Sequence, residues 1–182
     1  MTAQKPLQRC VFFDRDGIVN ISPPEGDYVR SWADFRLSPD LPDILRIVRD
    51  KGYAAVVITN QRGVAMGLMS VSAVEDIHAR LQELLRACCV PLLDILYCPH
   101  DKDTCTCRKP QPGMLLEAAR RHHLDLARSW MVGDRAGDME AGRRAGCRTI
   151  LVSAGDLAVQ ADYRVQTLGE LKAKLGPWLD AS

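Results

Sequence analysis

The sequence has 182 residues, 47% of them hydrophobic, and its 24 Lys and Arg nearly cancel its 23 Asp and Glu, for a net charge of +1 at pH 7. This balance offers no support for nucleic-acid binding or attachment to an acidic membrane, so electrostatic recognition must be local. The length suits one core, so a single domain over 1–182 and a monomer are expected; with no apolar stretch near the roughly 20 residues of a membrane span, and a polar start "MTAQKPLQR", so is a cytoplasmic location.

The first apolar run, "CVFF" (10–13), reads as a buried strand and leads directly into "DRDGIVN" (14–20). An extended chain would point Asp14 and Asp16 the same way, until Gly17 permits a sharp departure. Two carboxylates so crowded are costly unless a cation lies between them, one keeps a proton, or the chain turns and gives them different tasks. Residues 21–38 hold two prolines and no sustained period, and read as a loop or small flap.

From there strands and helices alternate. "DLPDILRIVRDKG" (40–52) carries Leu41, Ile44, Leu45 and Val48 on one stripe and stops at Gly52; "AAVVIT" (54–59) is a second strand. The next helix, 72–89, is expected to open on a capping box of Ser72 and Glu75. "DILYC" (94–98), a helix at 112–123, "WMVGD" (130–134), a helix at 138–146, "TILV" (149–152) and a helix at 167–179 opening on Thr167 and Glu170 complete the pattern. Continuous apolar strands alternating with amphipathic helices predict an α/β fold: a three-layer, Rossmann-like parallel sheet with helices on both faces. Ligands of such sheets bind beyond the carboxyl ends of the strands.

The chemistry-bearing residues fall at those ends: Asp14 and Asp16 after the first strand, Thr59 and Asn60 at the second, Arg108 and Lys109 beyond the third, and "GDRAGD" (133–138) after the fourth. Together they match the needs of phosphoryl transfer. A carboxylate can attack phosphorus, a second carboxyl can shuttle the proton, hard oxygen ligands suit Mg²⁺, and a hydroxyl and a lysine can hold the phosphate oxygens.

The segment "CPHDKDTCTC" sets Cys98, His100, Cys105 and Cys107 within ten positions, enough for a closed, tetrahedral and therefore structural Zn²⁺ site. Cys107 adjoins Arg108 and Lys109, so fixing this loop fixes both cations. Cys10, Cys88, Cys89 and Cys147 read as buried thiols, and His78, His122 and His123 as surface or helix-packing residues.

These four segments resemble the motifs of the haloacid dehalogenase superfamily of phosphatases: "DRDG", "VVITN", "RKP" and "GDRAGD", in order between about residues 10 and 152. The resemblance implies that Asp14 is the nucleophile and Asp16 the general acid/base. It implies that Mg²⁺ is held by Asp14, the Asp16 backbone carbonyl and Asp134 with Asp138 in support, and that Thr59 and Lys109 bind phosphate with help from Asn60. The absence of a large insertion after the first or second motif implies a capless fold. The zinc loop with "CRKP" and "QPGM" is similar to the histidinol-phosphate and heptose-bisphosphate phosphatase branch. That implies hydrolysis of the 7-phosphate of D-glycero-D-manno-heptose 1,7-bisphosphate in bacterial surface-heptose synthesis, with Arg108, Arg135 and Arg62 as further cations for a sugar bisphosphate. Histidinol phosphate is the alternative substrate; a zinc-stabilised phosphosugar-binding module without turnover is the alternative of another class.

Overall fold

The computed structural model describes residues 6–24, 26–155 and 158–181; residues 1–5 of the polar start and residue 25 of the 21–38 segment lie outside them. Six parallel strands are ordered β3-β2-β1-β4-β5-β6, with β1 (Cys10–Phe13), β2 (Ala54–Asn60), β3 (Asp94–Cys98), β4 (Trp130–Gly133), β5 (Arg148–Val152) and β6 (Tyr163–Val165). The first five fall where the apolar runs place them. β6 is only three residues long and half-polar, too short to leave a pattern.

Among the described residues five α-helices cover the sheet: α1 (Leu41–Asp50), α2 (Val71–Ala87), α3 (Gly113–His122), α4 (Ala136–Arg144) and α5 (Leu168–Asp180). Alternation along β1 separates two cores. Val11 and Phe13 pack with residues of α1, α2 and α5, whereas Cys10 and Phe12 pack with Met114, Leu115 and Ala118 of α3 and Ala141 of α4. Both faces of the strands are thus buried, which is why their sequences are continuously apolar.

Two helix starts differ from the sequence reading. α2 is capped by Ser70, whose hydroxyl accepts from the Ala73 N–H at 3.1 Å, so the Ser72–Glu75 box is not used. α4 begins two residues early, which places Asp138 in its first turn, where the carboxylate accepts from the Arg135 N–H at 3.0 Å. The cysteine reading also needs correction. Cys10 and Cys147 are buried, but Cys88 is half-buried and Cys89 is exposed, because both lie past the end of α2 where the helical stripe no longer faces the core.

Between β1 and α1 the described chain forms a 3-10 turn, Trp32–Asp34, and the isolated bridges Asp16–Asn20 and Asn20–Leu37, with no inserted cap domain. Among the described residues no helix is long and apolar enough to cross a membrane. The strand order reverses at β1, which lies between β2 and β4, so the crevice of a doubly wound sheet opens at the ends of these strands.

Candidate active site and cysteine cluster

Asp14 still belongs to the sheet, its N–H donating to the Val132 carbonyl at 2.9 Å. Its carboxylate accepts from Lys109 Nζ at 2.7 Å, and the same ammonium lies 2.6 Å from Asp138 and donates to the Ile58 carbonyl at 3.0 Å. Asp14, Lys109 and Asp138 are all buried. Burial and the nearby Asp138 carboxylate push Asp14 up to about 7 despite the bond to Lys109. Burial works against the charge on Lys109, but Asp138 and Asp14 outweigh it and hold the ammonium above its ordinary value.

Asp134 completes the group. One oxygen from each of Asp14, Asp134 and Asp138 lies within 4.8 Å of the others, and burial, then Asp138, pushes Asp134 up to about 6. Its Oδ1 is buried and makes no hydrogen bond to any described residue. Three carboxylates against one ammonium leave an excess of negative charge around an orphaned oxygen, a donor set that fits a hard divalent cation. Gly17 keeps this space open: its φ is +98°, and a Cβ there would lie 2.3 Å from Asp134 Oδ2.

The chain turns after Asp14, where the Arg15 carbonyl accepts from the Val19 and Asn20 N–H groups at 2.8 and 2.9 Å, and this gives the two aspartates of the first motif different partners. Arg15 donates to both Asp16 oxygens at 3.0 and 3.1 Å, Asn20 Nδ2 donates to Oδ1 at 3.0 Å, and Gln61 Nε2 donates to Oδ2 at 3.1 Å. Arg15 is 1% exposed, and its NH1 lies 3.3 Å from Nε2 of buried His78 on α2. Burial, then the Arg15 charge, lowers His78 to about 3, so its ring is neutral. Gln61 also donates to the Thr59 hydroxyl at 2.8 Å, tying the end of β2 to the same network.

Asp14, Asp16, Thr59, Asn60, Lys109 and Asp138 line one cavity of about 640 Å³, and Arg62, Lys102, Arg108 and Arg135 contribute cations to its wall. Asn60 is largely committed: its Oδ1 accepts from the Lys109 N–H and its Nδ2 donates to the Lys109 carbonyl, both at 3.0 Å. Arg62 meets Asp101 at 2.5 Å, joining the loop after β2 to the cysteine loop. Arg135 is far more exposed and stands 3.9 Å from Asp134.

In the cysteine loop, the sulfurs of Cys98, Cys105 and Cys107 are 3.3–3.5 Å apart, and His100 Nδ1 lies 3.3 Å from Cys107 and 3.6 Å from Cys98. All four donor atoms lie within 4.8 Å of one another, which suits a tetrahedral thiolate–imidazole site. Arg108 NH1 reaches the His100 carbonyl at 3.5 Å.

Comparison with known proteins points to one family. A family model described as "HAD-hyrolase-like" matches residues 106–171. The D-glycero-beta-D-manno-heptose-1,7-bisphosphate 7-phosphatase of Pseudomonas aeruginosa is 36% identical over 146 residues, covering 80% of this chain and 81% of the relative. The D-glycero-alpha-D-manno-heptose-1,7-bisphosphate 7-phosphatase of Mycobacterium bovis is 36% identical over 176 residues, covering 93% and 92%. The chain belongs to the haloacid dehalogenase-like phosphatases. The crystal structure of D,D-heptose 1,7-bisphosphate phosphatase from B. bronchiseptica, complexed with magnesium and phosphate, superposes with a TM-score of 0.82 at 29% identity, covering 96% of this chain and all of that one.

In this haloacid dehalogenase-like phosphatase three residues around Asp16 escaped the sequence reading. Arg15 was hidden because in an extended chain alternation would send it away from its two aspartates, whereas the fold turns it back onto Asp16, and Gln61 because it follows a strand end without a motif of its own. His78 reads correctly as helix-packing, but nothing in its helix announces that it touches Arg15.

Proposed function

We propose that this phosphatase, acting as a single domain and a monomer in the cytoplasm, removes the 7-phosphate of D-glycero-D-manno-heptose 1,7-bisphosphate. In this reading Asp14 attacks phosphorus: its Oδ–P bond forms as the P–O bond to the sugar breaks, and Asp16 delivers a proton to the departing oxygen. Water then attacks the aspartyl phosphate and gives its proton to Asp16, releasing inorganic phosphate and restoring the Asp14 carboxylate and the protonated Asp16 carboxyl. Lys109 and the Thr59 hydroxyl hold the phosphoryl oxygens, and Asn60 assists by fixing the Lys109 backbone. Asp14, Asp134 and the Asp16 backbone carbonyl would hold magnesium, with Asp138 in support. When bound, magnesium would offset the repulsion between carboxylate and phosphate and polarise the phosphoryl group. Cys98, His100, Cys105 and Cys107 would hold zinc, which keeps the Arg108–Lys109 segment in place.

The observation that carries the choice of substrate is the cavity wall. Arg62, Lys102, Arg108 and Arg135 surround the space beyond the carboxylates, with Asp27 as an acidic counterweight. A second phosphate is favoured there, whereas the cationic end of histidinol phosphate is not. The relatives support a heptose bisphosphate of either anomeric form, and the product would be a precursor of lipopolysaccharide or a related surface glycan.

Specificity constants measured side by side for both heptose bisphosphate anomers, histidinol phosphate and an aryl phosphate test this reading. One bisphosphate anomer should exceed histidinol phosphate by at least tenfold; equal or reversed values would sink it. Asp14→Asn separates the enzyme from a mere binding module, because turnover should vanish while phosphosugar still binds.

A further inference from the structure

We propose that Arg15 is a positioning residue that sets the Asp16 carboxyl for proton transfer, and that the neutral His78 imidazole of α2 holds Arg15 in that pose. The inference rests on the reading of Asp16 as general acid/base and extends it to Arg15, which stands between the two aspartates of the first motif, and to His78, which lies outside all four.

The geometry is that of a clamp with a backstop. Arg15 reaches Asp16 through Nε at 3.3 Å and NH2 at 3.0 Å, a side-on approach that fixes the plane of the carboxylate as well as its distance. NH2 also donates to Gln61 Oε1 at 3.0 Å, while Gln61 Nε2 donates back to Asp16, so the three side chains close a ring. The remaining arm, NH1, faces His78 Nε2 at 3.3 Å. A guanidinium has only donors, so this contact requires the lone pair on Nε2 and the proton on Nδ1. The His78 ring is fixed in turn by an edge contact with Tyr97 of β3, centroids 5.5 Å apart.

Asp16 is the least buried member: its side chain is 22% exposed against 1% for Arg15, and it lines the cavity. An interior cation aimed outward at a cavity carboxylate suits orientation of that carboxylate better than packing alone. The neutral His78 supplies an acceptor without adding a second positive charge beside Arg15.

The test uses the zinc-loaded, magnesium-supplemented protein and two substrates. A sugar phosphate needs a proton on its leaving oxygen, whereas p-nitrophenyl phosphate releases a stable phenolate without one, although hydrolysis of the aspartyl phosphate still needs a base. Arg15→Lys, which keeps the charge but loses the fork, should lower kcat on the sugar bisphosphate about a hundredfold with KM nearly unchanged. On p-nitrophenyl phosphate it should give a burst of nitrophenolate equal to the enzyme concentration, then slow turnover. His78→Phe, which keeps the ring but loses the acceptor, should do the same more weakly, and His78→Gln, with a carbonyl in reach of NH1, should restore kcat to within a few fold of wild type.

Equal losses on both substrates without a burst, accompanied by a lower Tm, would reduce the cluster to a structural ion pair and overturn the inference. The His78 pair decides the matter if Arg15→Lys fails to fold. Asp16→Asn is the reference. If it shows neither burst nor selective loss, the general acid/base reading itself fails and the inference falls with it; if it shows both and the Arg15 and His78 variants do not, only the positioning role fails.

Discussion

Replacing Asp14 with Asn should abolish turnover and, in the absence of magnesium, make the protein more stable. The carboxyl stands at about 7 in the fold against an ordinary 3.8, with its attraction to Lys109 already counted. Roughly three units at about 1.4 kcal/mol each set a ceiling of about 4 kcal/mol on the cost of keeping this group ionised in the folded chain. Because the folded value lies above the unfolded one, the folded state takes up the proton first as pH falls. The penalty is therefore fully expressed above about pH 7 and fades toward about pH 4. Asn removes it and leaves Lys109 its partner Asp138, 2.6 Å away. If half the ceiling is expressed, Tm should rise by roughly 4–8 °C at about pH 8, and the gap to wild type should close near pH 4.5. Differential scanning fluorimetry in magnesium-free buffer, without a chelator that would strip zinc, reads both arms. Adding magnesium should raise the wild-type Tm and move the variant much less. A variant melting below wild type at pH 8, or a gap that does not change with pH, would refute the account of Asp14 as a carboxylate held at a cost.

Gly17→Ala should lower kcat at least tenfold and cost about 1–3 kcal/mol in urea unfolding, because the residue sits at φ +98° with Asp134 in the way of any side chain. Lys109→Met should reduce kcat by about a hundred- to a thousandfold, since it leaves Asp14 and Asp138 facing each other and removes a cation from the phosphoryl oxygens; steady-state kinetics with saturating magnesium would show it. Cys107→Ser should release the metal proposed for the cysteine cluster, seen as a lost zinc equivalent by atomic absorption, and should lower Tm by several degrees. Arg135→Ala, on a largely exposed side chain, should raise KM for the bisphosphate several-fold and leave that for p-nitrophenyl phosphate within twofold.

The sheet and helices were legible because strands buried on both faces and helices with one apolar stripe leave periodic traces. Phe12 and Phe13 read as equally apolar although they enter opposite cores. The strand-end motifs were legible because short spacings fix what lies together, as with Asp14 and Asp16 or Cys105 and Cys107. Long-range partners were not. The contact of Arg15 with His78 spans 63 positions and that of Asn60 with Lys109 spans 49, and each residue alone has several ordinary uses. β6 was missed because three residues carry no period, and the start of α2 because Ser70 and Ser72 offer equivalent caps that only the fold distinguishes.

Lys109 is where four parts of the chain meet. Its backbone hangs from Asn60 at the end of β2, its ammonium touches Asp14 after β1 and Asp138 in α4, and it follows directly on the cysteine loop. A drift of that loop by a single hydrogen-bond length would disconnect the ammonium from both carboxylates together. Assembly of the pocket is therefore close to all-or-none: a nascent chain would gain neither charge balance nor reactivity until the last of these segments has docked.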